Sequence, residues 1–197
     1  MSVHWWTREG LDYRGGELHL GRQNLADLVK SAGTPTFVYD ATRIAKNLER
    51  IHAALDKHEV EHEIFFALKS NRYLPLVTFL KLNGRCGLDV CSPNEMRLGR
   101  QLGFREEQIV YTNTSVSKED IEWLARHSRV HVNVDSLSSL RRLAQRCPGR
   151  SIGLRINPKM GVAYHDHLTY SGDKITKFGI YSDRFVEALA LASELRM

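Results

Sequence analysis

The sequence predicts a parallel α/β fold, and three observations carry that expectation. Short apolar runs recur along the chain. Each is followed promptly by a segment whose apolar residues fall at helical spacing. The repeat interval is about 20 to 30 residues, the length of a strand, a loop and a helix. Strands this short suit either a (β/α)8 barrel or an open doubly wound sheet. No Gly-x-Gly-x-x-Gly follows any run and no Gly-Lys-Ser/Thr loop is present, so the nucleotide-binding versions of these folds are weakly supported.

The elements follow in order. Residues 1–33 form a distinct lead-in. Within it, residues 17–20 alternate like a short strand after the turn signal Gly15-Gly16. Residues 24–32 place Leu25, Leu28 and Val29 at helical spacing, with Gly33 as the stop. Thr34-Pro35 marks a boundary, and residues 34–197 form the second domain. Its first strand is expected at residues 36–39 and the next helix at 41–58. Further strands are expected at 63–68, 86–90, 108–112, 130–134 and 151–156. The intervening helices are expected at 73–82, 94–102, 118–127 and 136–145. A long loop then leads to residues 178–180 and a last helix over 183–196.

Composition bounds the partners. Of 197 residues, 26% are charged and 42% hydrophobic, which excludes collagen-like, low-complexity and wholly disordered chains. No apolar run approaches the roughly 18 residues of a membrane span. The first ten residues lack the basic-then-apolar pattern of a secretory signal, so the expected location is cytoplasmic. The net charge of +5 is mild and scattered, unlike a nucleic-acid-binding stripe. Cys86, Cys91 and Cys147 form no close pairs, which argues against a disulfide framework and fits a reducing compartment. His165 and His167 stand two apart, but in a glycine-containing, polar stretch with no third ligand, so no metal site is expected.

The candidate chemistry sits at strand ends. In parallel α/β folds the C-terminal edge of the sheet is where ligands bind. Here the strands end in Lys69-Ser70-Asn71, Asp89, Thr112-Asn113 and Asp135-Ser136, and the last carries Arg155 and Asn157 two apart. Ser92 and Ser136 are accounted for as helix N-caps. Lys69 and Arg155 are less easily accounted for, because both adjoin strongly apolar runs. A lysine at the mouth of an apolar strand is expected to be partly desolvated, which lowers its pKa. Its neutral amine can then form a Schiff base with an aldehyde. Asp89, one strand over, could orient that amine or balance its charge.

These residues carry a family resemblance. Phe66-Ala-Leu-Lys-Ser-Asn71 resembles the Tyr-Ala-Val-Lys-Ala-Asn motif of fold-type III pyridoxal-phosphate (PLP) decarboxylases. Gly87-Leu-Asp-Val-Cys-Ser-Pro-Asn-Glu-Met96 is similar to their Gly-Ala-Asp-Val-Val-Ser-Gly-Gly-Glu-Leu segment. Thr34-Pro-Thr-Phe-Val-Tyr-Asp40, Arg155-Ile-Asn-Pro158 and Lys177-Phe-Gly-Ile180 are similar to three further landmarks. Order and spacing match the diaminopimelate, ornithine and arginine decarboxylase family from about Gly15 onward. The resemblance implies a partial (β/α)8 barrel of about six βα units that binds PLP. Lys69 would hold the cofactor and be catalytic. Asp89, Arg155, Asn113 and Asn157 would be cofactor-binding residues around it, and a small amino acid would be the substrate. A non-catalytic PLP-binding barrel and an alanine-racemase-like enzyme are the alternatives on this fold.

Members of that family are about twice this length. The chain therefore resembles their N-terminal half, with residues 17–20 belonging to a strand of a β-domain that lies outside it. The expectation is a fragment or subunit, a homodimer when complete. Alone it should bind PLP weakly and lack decarboxylase activity. With sheet edges unpaired and apolar surface uncovered, it should aggregate or need a partner that supplies the other half.

Overall fold

A computed structural model describes residues 7–83, 85–112, 114–159 and 176–197. Two compact units divide the chain, residues 1–62 and 63–197.

In the first unit the local signals act as the sequence suggests. Gly15 and Gly16 take positive φ values of 59° and 85°, the handedness a tight hairpin turn requires of both central residues. They join β1 (Leu11–Arg14) to β2 (Glu17–Leu20), and β3 (Gln23–Asn24) completes a three-stranded antiparallel sheet in the order β1-β2-β3. Asn24 starts α1 (Leu25–Ala32) by accepting a 2.8 Å hydrogen bond from the Ala26 N–H. Gly33 ends it in a left-handed conformation, donating to the Val29 carbonyl. Asp40 caps α2 (Ala41–Asp56), accepting from the Thr42 N–H at 2.9 Å.

Residues 36–39 are not a strand, a correction to the sequence reading. They pair with no other strand among the described residues, and Phe37 is 88% exposed. An apolar β-prone run becomes a strand only when a neighbour takes its backbone N–H and C=O groups.

The second unit is built of βα repeats. β4 (Phe65–Ala67), a 3₁₀ turn (Leu68–Ser70) and α3 (Leu74–Asn83) come first. β5 (Gly87–Val90) with α4 (Pro93–Gln101), and β6 (Ile109–Thr112) with α5 (Lys118–Ala125), follow. Then come β7 (His131–Val134) with α6 (Leu137–Arg146), the short strands β8 (Gly153–Leu154) and β9 (Ile156–Asn157), and β10 (Ile180–Tyr181) with α7 (Phe185–Glu194). Ser92 and Ser136 cap α4 and α6 through their hydroxyls, as expected.

The main sheet is all parallel, in the order β4-β5-β6-β7-β8. Strand order equals sequence order, which is the barrel pattern; a doubly wound sheet reverses at a switch point. The fold is a partial (β/α)8 barrel. The run expected as one strand at 151–156 is split instead. β8 pairs with β7, while β9 pairs in parallel with β10. Arg155 sits at the break: its N–H donates to the Val134 carbonyl at 2.8 Å and its carbonyl accepts from the Ile180 N–H at 2.7 Å.

Alternation then sorts the sheet faces. Leu88 and Val90, Ile109 and Tyr111, and Val132 and Val134 are buried in the main core. Met96, Ile121, Leu124, Leu140 and Leu143 from the helices belong to the same core. The residues between them, Asp89, Val110, Thr112 and Asn133, therefore belong to the other face, the interior side of the partial barrel. That polar face is where a site can form. No helix among the described residues is long and apolar enough to cross a membrane.

Candidate active site

Lys69 leaves β4 on a tight turn. The Asn71 N–H donates to the Leu68 carbonyl at 3.2 Å and the Ser70 hydroxyl to the Ala67 carbonyl at 2.7 Å. Leu68 is fully buried and pins the turn, while Lys69 itself is exposed. The partial burial expected of this lysine is therefore not supplied by the described residues. Strand alternation breaks at the turn, which swings the side chain past the strand end rather than into its apolar wall.

Lys69 opens onto a cleft of about 650 Å³ that Arg155, Ile156, Asn157, Pro158, Lys177 and Phe178 also line. That volume lies in the range of small-molecule sites. Three cations meet there. Arg155 stacks over the Phe178 ring at 4.7 Å and Lys177 lies 5.4 Å from the same ring centroid, so one aromatic ring steadies two positive charges.

Asn157, expected at the pocket, does line it, but its amide is fully engaged. It is 4% exposed, donates to the Thr176 hydroxyl at 3.1 Å and the Phe178 carbonyl at 2.9 Å, and accepts from the Lys159 N–H at 3.0 Å. Its role in the geometry is to hold Phe178 in place. Gly179 makes the following turn at φ 74°; a Cβ there would stand 3.0 Å from the Asn157 nitrogen.

Asp89 is placed differently from Arg155. It pairs in register with Ala67, two residues before Lys69, and does not line the cleft. One of its carboxylate oxygens is buried with no hydrogen-bond partner among the described residues. Asn113, His165 and His167 lie outside the described residues.

Three features stand in the sequence without an assigned role. Lys177 was visible only as part of a motif, without a role. Asp135, just past β7, is 4% exposed and has a buried oxygen without a partner among the described residues. Burial pushes its pKa up, and the nearby Arg155 charge opposes that only in part. The third is an ion pair between Arg72 and Glu95, 2.7 Å from Nε to Oε1. Glu95 is 3% exposed. Burial raises its pKa, but the Cys91 N–H, Arg72 and the Cys91 thiol together hold it below the usual carboxylate range. Cys91 moves oppositely: burial and then Glu95 raise its thiol, against the charges of Lys69 and Arg72. Ser92-Pro-Asn-Glu95 has the capping-box spacing, which with the Gly87–Met96 motif marks Glu95 but names neither Arg72 nor Cys91 as its partner.

Comparison with known proteins decides the family. The profile of the pyridoxal-binding domain of pyridoxal-dependent decarboxylases matches residues 41–196. The chain belongs to this family. Diaminopimelate decarboxylase of Methanothermobacter thermautotrophicus is 33% identical over 181 residues, 91% of this chain and 42% of that protein. The Pseudomonas fluorescens diaminopimelate decarboxylase is 30% identical over 87% of this chain and 42% of its own length. Among solved structures, an Aquifex aeolicus protein superposes with a TM-score of 0.78 at 26% identity, covering 95% of this chain and 42% of that one. The pyridoxal-dependent decarboxylase domain seen here thus spans about two fifths of the relatives it matches.

PLP is an aldehyde that carries a phosphate, and the residues present fit it. The site offers the amine of Lys69 at the exit of β4, the cations Arg155 and Lys177 against an aromatic ring, and at the same sheet edge a buried carboxylate oxygen without a donor among the described residues.

Proposed function

We propose that this chain is the cofactor-binding part of an amino-acid α-decarboxylase of the diaminopimelate type, with Lys69 as the residue that carries PLP. The observation that carries the reading is the convergence of Lys69, Arg155 and Lys177 on one cleft at the C-terminal edge of the sheet. The family match supports it independently.

Each residue has a task set by its chemistry. Lys69 is the only one of the three cations placed at the exit of a sheet strand by a tight turn, and its Nζ is the nucleophile toward the cofactor aldehyde. Arg155 and Lys177 hold anionic groups, the phosphate or the substrate carboxylate, with Phe178 limiting where their charges go. Asn157 sets the position of Phe178, and Asp89 supplies a carboxylate one strand from the amine. PLP, when bound, supplies the electron sink that lets the α-carboxylate leave as CO₂. By the same reading the complete protein is a cytoplasmic homodimer whose remaining part adds substrate contacts.

The test is reductive trapping. The purified chain is incubated with PLP, reduced with borohydride and mapped by peptide mass spectrometry. The expected product is phosphopyridoxyl-Lys69, absent from Lys69→Ala. A label spread evenly over the exposed lysines would overturn the assignment. The same preparation should release no CO₂ from diaminopimelate above the protein-free rate.

A further inference from the structure

We propose that Glu95 is a positioning residue for Lys69: paired with Arg72, it clamps the turn that carries Lys69 onto the end of β5. The inference rests on the reading that Lys69 carries PLP.

The geometry is a bridge between two adjacent strand exits. Arg72 lies three residues past Lys69, on the segment leaving β4. Its guanidinium holds Glu95 Oε1, with Nε at 2.7 Å and Nη2 at 2.5 Å. The other oxygen, Oε2, accepts from the Cys91 N–H at 2.8 Å and from the Cys91 thiol at 3.2 Å. Cys91 is the first residue after β5. One buried carboxylate therefore ties the Lys69 segment to the strand that bears Asp89, whose register already sets Ala67 level with Asp89.

Two further observations separate this from simple helix capping. Glu95 is the third residue of α4, and Ser92 already caps that helix by accepting from the Glu95 N–H at 3.2 Å. A capping-box glutamate would return to the Ser92 N–H; this one passes it over for Cys91 and Arg72. The Arg72 side chain is 57% exposed against 4% for Glu95. The arginine is thus not needed to fill the interior. What it does is neutralise a carboxylate whose burial would otherwise be costly, and hold the lysine turn in doing so.

The experiment uses the full chain and the borohydride trap, read as the ratio of phosphopyridoxyl on Lys69 to that on Lys81. Lys81 is on α3, nine residues past Arg72, where its Nζ donates to the Gln108 side chain at 3.0 Å and takes no part in the clamp. General loss of structure frees Lys81 and raises its label; loss of positioning lowers the label on Lys69 and leaves that on Lys81 unchanged. Glu95→Gln and Arg72→Met should each lower it on the order of tenfold, the scale of misplacing a reacting group. Their combination should be no worse than either alone, and Arg72→Lys should recover part of the loss. Ratios within about twofold of the parent in both single variants would overturn the clamp, since misplacement of that kind costs far more. Should Glu95→Gln fail to fold, Arg72→Met decides alone. A parent chain that labels Lys69 no better than Lys81 would instead overturn the assignment of Lys69 itself.

Discussion

Asp135 and Glu95 are both almost fully buried carboxylates at the exits of parallel strands, yet their thermodynamic signs are opposite. Glu95 has its partners, and its folded pKa is lowered. It therefore contributes stability above its unfolded value of about 4.3, lost as pH falls through the folded value. Asp135 has an oxygen without a partner among the described residues, and its folded pKa is raised by burial. Between the unfolded value of about 3.9 and that raised value the folded state holds the extra proton, so stability declines as pH rises. At neutral pH, Asp135 is a net cost that Arg155 only partly offsets. Asp135→Asn should leave stability at pH 7 unchanged or higher, and should remove the decline across that window. Glu95→Ala should lower stability by roughly 1–3 kcal/mol, since it strands the Cys91 N–H. Urea unfolding midpoints between pH 7 and pH 4 check both; an Asp135→Asn chain less stable than its parent at pH 7 would refute the first.

At the scale of elements, local rules were enough wherever a residue acts on its own neighbours. The Gly15-Gly16 turn, the Asn24 and Gly33 ends of α1 and the serine caps of α4 and α6 are each decided within four residues. Reading failed where a partner far along the chain decides. Residues 36–39 have strand composition but no paired neighbour among the described residues, and the 151–156 run breaks at Arg155 because its two ends pair with different strands. Lys69 and Arg155 were legible because their charges interrupt apolar runs. The Arg72–Glu95 pair was not, because nothing in either local sequence names the other. The β9–β10 pair gives this scale its prediction. Gly179 stands beside it at φ 74°, with backbone atoms of Asn157, Arg155 and Ile156 between 3.0 and 3.2 Å from where a Cβ would sit. Gly179→Ala should cost about 1–2 kcal/mol from left-handed strain, more if the close backbone cannot give way. Because Asn157 and Phe178 flank that turn, the same variant should also reduce PLP trapping at Lys69. Urea unfolding and the trapping assay, run on one preparation, check both effects.

At the scale of the molecule the question is which uncovered surface governs association. The main sheet has strand edges at β4 and β8, but these are three and two residues long. Edges that short offer few backbone groups for another chain to pair with. The apolar surface of α7 is the stronger candidate. Ala188 and Leu191 are buried on one side of the helix, while on the opposite side Val186 is 78% exposed, Leu189 48% and Phe185 38%. Positions 185, 186 and 189 fall on one helical face, so the three make a continuous patch rather than scattered exposures. Self-association of the chain should therefore be driven by this face. Replacing Val186 with Glu and Leu189 with Lys adds an oppositely charged pair three positions apart, which removes the apolar patch while supporting the helix. Sedimentation velocity should show the parent chain associating at micromolar concentration and the double variant shifted to monomer, with the secondary structure unchanged. A double variant that associates as strongly as the parent would move the cause from the helix face to the strand edges. Charged substitutions within residues 65–67 or 153–154 would then be the ones to restore the monomer.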